Sequence, residues 1–261
     1  MRKSYKGITS KTILFMAMLC AVVVFDSCKK KDDATPQQAN NAFPTPAYPK
    51  PSDADAVLVA VRASAPSPIS MPVSIPGMDT ELVLDLGMGI AFFKDNAKAD
   101  KVLLNNTELG FTNGVHMWTP NFANITDPSS VSGIDLNGSI TWKVTNPNIE
   151  QTLSGLPGKP KITSGKTVTK SAGYTINNSS AGVSGEVLYV IYDENGKSVQ
   201  KTKSAGSTSC AFTASELSAL GSTNNGIVQA NAYIIESKTL NGKKVYFVRQ
   251  SSYSVTGVTI N

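Results

Sequence analysis

Apolar residues recur at every second position over much of this chain. The clearest case is 81–93, "ELVLDLGMGIAFF", where Leu82, Leu84, Leu86, Met88, Ile90 and Phe92 share one face. Glu81, Asp85, Gly87 and Gly89 fall on the other. Such alternation predicts a half-buried strand, and the two glycines mark a bend or bulge rather than a helix. "AVLVAVRA" (56–63), "KVLLNNTEL" (101–109) and "GSITWKVTN" (138–146) read as further strands. In the last, Ile140, Trp142 and Val144 share a face, which makes Trp142 a core residue.

A break follows at 156–165, "LPGKPKITSG". Beyond it, short strands with regular turn signals are expected at 166–177, 185–193, 197–203, 207–212, 226–236, 243–249 and 252–260. "DENG" (193–196) and "LNGK" (240–243) are hairpin turns, because Asn-Gly accepts positive φ. The acidity of the first is explained by turn chemistry, without a metal. "TASELSALG" predicts one short helix, with Thr213 and Glu216 forming a capping box and Gly221 as its stop. Seven strands in about a hundred residues point to a sandwich of immunoglobulin or fibronectin-III type. The fold class is therefore all-β, with two sandwich-like domains at 53–157 and 160–261.

The start of the chain has a different pattern. Arg2, Lys3, Lys6 and Lys11 precede an unbroken apolar run at 13–25. A basic stretch before a short apolar one reads as a signal peptide, 1–27. Thirteen residues fall short of the ~20 that a membrane-spanning helix needs. Ser27 then precedes Cys28, followed by "KKKDD". Cys20, the rival cysteine, lies inside the apolar run after the bulky Leu19. A small residue before a cysteine at this point resembles the bacterial lipobox, in which the thiol is lipidated and the peptide is cut before it. The following lysines and acids resemble the surface-export signal of lipoproteins in one group of Gram-negative bacteria. The resemblance implies lipidation at Cys28 and an export signal at Lys30, Lys31, Asp32 and Asp33. It also implies an outer-membrane protein facing the cell exterior, held by its lipid anchor. Residues 28–52 would form a tether: Pro36, Pro44, Pro46, Pro49 and Pro51 lie among polar residues that bury no core. The whole arrangement is similar, more loosely, to two-domain surface lipoproteins of the same bacterial group.

Charge changes its meaning once these segments are set apart. The chain carries 24 bases and 19 acids, a net +5. Residues 53–261 carry 16 of each, so the basic character belongs to the leader and tether. A neutral body has no field to attract nucleic acid. With Cys28 lipidated and Cys20 removed, Cys210 stands alone, so no internal disulfide is expected, and its strand setting makes it a buried small hydrophobe.

Candidate chemistry is sparse. His116 is the single histidine, which leaves little for a histidine-based nucleophile or a metal site. No glycine-rich phosphate loop occurs. Asp100, Glu108, Asp127, Asp135 and Glu150 offer acids for a glycosidase pair only by chance proximity. No cofactor, metal or catalytic residue is assigned, and an enzyme ranks third among the readings. The first is a binding or adhesion module for a glycan or protein. The second is a spacer within an envelope assembly. For the first, the segment 111–122, "FTNGVHMWTPNF", has no strand periodicity and holds Phe111, Trp118 and Phe122, with Asn113 and Asn121 beside them. Aromatic faces on a loop suit sugar rings, and the amides suit hydroxyls.

Overall fold

A computed structural model describes residues 53–66, 83–118, 133–179 and 184–261. The leader, Cys28, the export signal, the tether to 52, and Asn121, Phe122 and Asp127 lie outside them. The protein is all-β. Its described residues form strands β1 (Ala56–Pro66), β2 (Val83–Phe93), β3 (Lys101–Leu104), β4 (Thr107–Glu108), β5 (Gly110–Thr112), β6 (Val115–Met117), β7 (Ile140–Thr145) and β8 (Ile149–Leu153) in the first half. The second half adds β9 (Thr167–Val168), β10 (Tyr174–Asn177), β11 (Glu186–Tyr192), β12 (Ser198–Lys203), β13 (Ser209–Phe212), β14 (Thr223–Leu240) and β15 (Lys243–Ile260). Among the described residues one α-helical turn, α1 (Ala214–Leu217), carries the expected capping box: Glu216 N–H donates to Thr213 Oγ1, and Thr213 N–H donates to Glu216 Oε2.

The main sheet has nine strands in the order β12-β11-β14-β15-β1-β2-β6-β5, with β9 also on β15. It is mixed: β1 runs parallel to β15 and antiparallel to β2. This explains the unbroken apolar run of β1. A strand between two neighbours, buried on both faces, has no solvent side to be polar. Leu58 and Ala60 enter one core with Ala91 and Phe93, while Val57, Val59 and Val61 join Ile90 and Phe92 on the reverse face.

Two smaller sheets cover the main one and make it sandwich-like. The four-stranded sheet β4-β3-β7-β8 lies over the first half. Between them sit Val102, Leu104, Trp142, Val144 and Phe247, all buried. The pair β10-β13, with α1, covers the second half over Ile176, Tyr189, Phe212, Leu217 and Val258. Trp142 is fully buried, as its alternation requires.

Three expectations change. The stretch 166–177 is two short strands split by a 3-10 turn at Lys170–Ala172. Strands 243–249 and 252–260 are one continuous strand, and its partner runs to Leu240. And the glycine face of β2 is not a solvent face. Gly87 and Gly89 lie against the covering layer: a Cβ on Gly89 would meet Leu104 at 2.7 Å, and one on Gly87 would lie 1.9 Å from the Ile134 carbonyl oxygen. The glycines let residues 133–134 cross the strand, with Ile134 N–H donating to Gly87 O at 2.9 Å.

The hydrogen-bonded ladder runs on across the boundary expected near 157–160. Strands β14 and β15 serve both halves, and the connecting segment is bonded to the sheet. The buried Arg249 donates through Nη1 to Ser154 O (3.1 Å) and Gly155 O (2.7 Å) and through Nη2 to Glu236. Ser251 Oγ donates to Pro157 O at 2.7 Å, and Lys159 Nζ to Asp85 Oδ1 at 2.8 Å.

Gly87→Ala is therefore expected to destabilise the fold by about 3 kcal/mol, the upper range for overpacking a tight site. A urea melt showing an unchanged midpoint would contradict the crossing at 133–134.

Candidate functional site

The segment proposed as a ligand platform begins with a hairpin. Strands β5 and β6 pair Phe111 with His116 and Thr112 with Val115. Asn113 (φ 48°) and Gly114 (φ 79°) form the two-residue turn between them. Asn113 thus has a local reason to be there: Asn-Gly accepts the left-handed backbone that a tight hairpin turn demands. That signal stood in the sequence, masked by the aromatics around it.

Phe111 is 38 % exposed. Its ring lies 4.8 Å from the His116 ring, centroid to centroid, with Lys98 Nζ 5.6 Å from its centre. Trp118 is half-buried and packs against the first core, and its backbone N–H donates to Gly89 O at 3.1 Å. Of the five candidate ligand residues, the structure thus places Phe111, Asn113 and Trp118 on or beside one short hairpin at the sheet edge.

His116 is buried, edge-on to Phe93 at 5.8 Å. Its Nε2 accepts the Ala99 N–H at 3.1 Å. The ring is therefore neutral, with its proton on Nδ1. Burial pushes its pKa down; the Leu109 carbonyl opposes this, and Lys98 adds to it. With the Nε2 lone pair occupied and the ring covered, His116 is arranged to hold the 97–100 loop.

The acids proposed for a glycosidase pair are dispersed. Glu108 pairs with Lys101 (3.5 Å), Glu150 with Lys143 (3.0 Å), and Asp135 caps the Asn137 N–H at 2.9 Å. The acid best held is Asp193, in the "DENG" turn. Its carboxylate is buried and accepts the N–H groups of Asn195, Lys197 and Gly221 at 2.9, 3.0 and 2.7 Å. That closes the turn and anchors the chain after α1, with no cation required. Among the described residues no group of three or more His, Cys, Asp or Glu is placed to hold a metal. Cys210 is buried, and desolvation raises its thiol pKa, the opposite of an activated thiolate.

The reverse face of β14 and β15 carries a polar band that strand alternation does not reveal. Gln229, Asn231, Gln250, Ser252 and Ser254 are all buried. Gln229 Nε2 donates to Ser254 Oγ (3.0 Å), Asn231 Nδ2 to Leu188 O (3.2 Å) and Gln250 Nε2 to Ser252 Oγ (2.9 Å). The clue was present in "RQSSYS" (249–254), which reads as a break in apolar alternation rather than as its buried continuation.

Comparison with known proteins adds little chemistry. No family profile matches this chain, and no curated protein does. Among solved structures, the chain is similar to the fibronectin(III)-like modules of Clostridium thermocellum CbhA. The identity is 10%, over 66% of this chain and 85% of that one, with a TM-score of 0.22. At that TM-score the likeness transfers nothing, and the fold described above rests on its own strand order.

The histidine generates a pH prediction. Its folded pKa lies below its unfolded value of ~6.5. Between the two, the unfolded chain binds more protons, so stability rises with pH. The contribution is complete above pH ~6.5 and is lost as pH falls through the folded pKa. Denaturation midpoints should thus drop from pH 7 to pH 5, and His116→Gln should flatten that slope. An unchanged slope in the variant would show that other groups carry it.

Proposed function

We propose that this protein is a lipid-anchored lipoprotein of the outer membrane, displayed outward, whose β body acts as a non-catalytic binding or adhesion module. The observation that carries the reading is the stretch "SCKKKDD" (27–33), placed between an apolar leader and a proline-rich tether. What supports the non-catalytic part is the use of the reactive side chains. His116 accepts a backbone N–H, Asp193 closes a turn, Cys210 is buried, and Glu108 and Glu150 are paired with lysines. Each of these groups is already committed to the fold.

The chain enters the body in a way that suits a tether. Asp53 accepts from Lys244 Nζ and from Tyr246 Oη (2.9 Å), and Asp55 Oδ2 accepts the Lys244 N–H at 2.8 Å. These bonds fix the point of entry against β15, so a pull on the tether loads a strand flanked on both sides by neighbours.

Two experiments test the reading. Cys28→Ala should lose incorporation of a fatty-acid analogue, whereas alanine at Lys30, Lys31, Asp32 and Asp33 together should keep the label and hide the body from protease added to whole cells. Label retained by Cys28→Ala, or digestion unaffected by the quadruple change, removes the corresponding half of the proposal.

The ligand part is separable. Trp118→Ala should abolish any signal on a glycan array while the fold survives. It is also expected to lower stability, since the ring packs partly on the core. Binding retained in a folded variant excludes the platform at 111–122. An array blank for the unaltered protein favours the spacer reading.

A further inference from the structure

Strand β1 is gripped along its length and again at its mouth. On one side Ala56 to Ser64 run parallel to Val245–Tyr253 of β15. On the other, Ala56 to Pro66 run antiparallel to β2. The bonds of both ladders lie across the strand. A force along β1 therefore loads them all together, whereas a sideways force loads them one after another from the end. The ladders are also dry, since Ala56 to Val61 are all buried. A hydrogen bond in such surroundings is stronger than in water, and breaking it leaves two groups unsatisfied.

The mouth is closed by other means. Asp55 N–H donates to Lys244 O at 2.8 Å, and Asp55 O accepts the Lys94 N–H at 2.9 Å, so both ladders reach one residue below Ala56. Two carboxylates then hold the same point of β15. Asp55 Oδ2 accepts the Lys244 N–H at 2.8 Å, and Asp53 accepts from Lys244 Nζ and from Tyr246 Oη. Lys244 is thus bound through its N–H, its C=O and its ammonium group. The Lys244–Asp53 pair is solvent-exposed, and exposed ion pairs add little to equilibrium stability. Its place is what gives it a use: this is where a peel of β1 from β15 would begin.

Direction completes the arrangement. β15 runs the same way as β1 and continues past Tyr253 to Ile260. A load reaching the body at that far end pulls β15 one way while the tether pulls β1 the other, along one axis. We infer that β1 and β15 form a shear clamp. Tension on the tether is carried lengthwise by the ladders of β1, and the latch of Asp53, Asp55 and Lys244 keeps the strand from peeling at its entry. A surface module pulled by a captured partner needs such a device, because peeling from the entry would open the body bond by bond. This use rests on the tethered reading. The clamp itself belongs to the body and is tested without a membrane, so failure of the lipid assignment and failure of the clamp are separate results.

Single-molecule force spectroscopy on the mature chain, residues 28–261, made without lipid, provides the test. Cys28 supplies one handle, and the buried Cys210 stays unreactive in the folded body. A second handle at Asn261→Cys, beyond the far end of β15, drags β1 and β15 past each other. A second handle at Lys243→Cys, beside the entry, draws them apart sideways. Both positions are exposed, so the two samples differ only at the surface and their rupture forces report the direction of load. At one loading rate the force should be several times higher with the handle at 261 than at 243. Asp53→Ala with Asp55→Ala should lower the force at 243 further and leave that at 261 nearly unchanged. Equal forces in the two directions overturn the clamp. A double variant that keeps the force at 243, or lowers the force at 261 by the same factor, overturns the latch.

Discussion

The pairing of β1 with β15 is the constraint on which the rest depends. It joins Ala56 to Val245 and Ser64 to Tyr253, almost the two ends of the body, in parallel. Parallel neighbours cannot be linked by a tight turn. Here the link is nearly everything between them: the covering sheet, the connecting segment and the second half. Without β1, the lower part of β15 would lose a neighbour, and Val245 and Phe247 would lose the Leu58 layer that buries them. The long hairpin β14–β15 is the spine, and β1 is what binds the first half to it. Such long-range closure is slow compared with local pairing. In a chain threaded outward from its N-terminus, β1 would emerge early and its partner last. Its two apolar faces must then stay clear of wrong partners in the interval.

Polar groups settle how the halves meet. A hydrophobic seam between them would tolerate sliding, but a buried guanidinium does not. Arg249 satisfies two carbonyls and a carboxylate at once. Removing the Glu236 carboxylate takes away the acceptor of the Nη2 donor, at a cost of about 1–3 kcal/mol. Ser251 and Lys159 add bonds on the same segment. The connecting stretch looks like a flexible linker by composition, being rich in Gly, Pro and Ser. Its hydrogen bonds make it part of the sheet's surround.

Most strands were legible from alternation and turns, and the failures share one cause. Reading a strand as half-buried assumes that one face is polar. That held for β7, where Trp142 is buried and Lys143 is exposed. It failed for β2, whose glycine face is covered rather than solvated, and for β15, where Gln250, Ser252 and Ser254 are polar yet buried. A polar residue in a strand pattern therefore signalled either water or a hydrogen-bonded interior, and only the tertiary packing distinguishes them. The Asn241–Gly242 turn is legible in the sequence and the equivalent Asn113–Gly114 turn is not, although both have the same positive-φ signature. The aromatics at 111 and 118 drew the second toward a loop reading. The candidate site was legible only as a cluster of residue types. Its partition into a ring on the sheet edge, a turn amide and a core-packed indole required the fold.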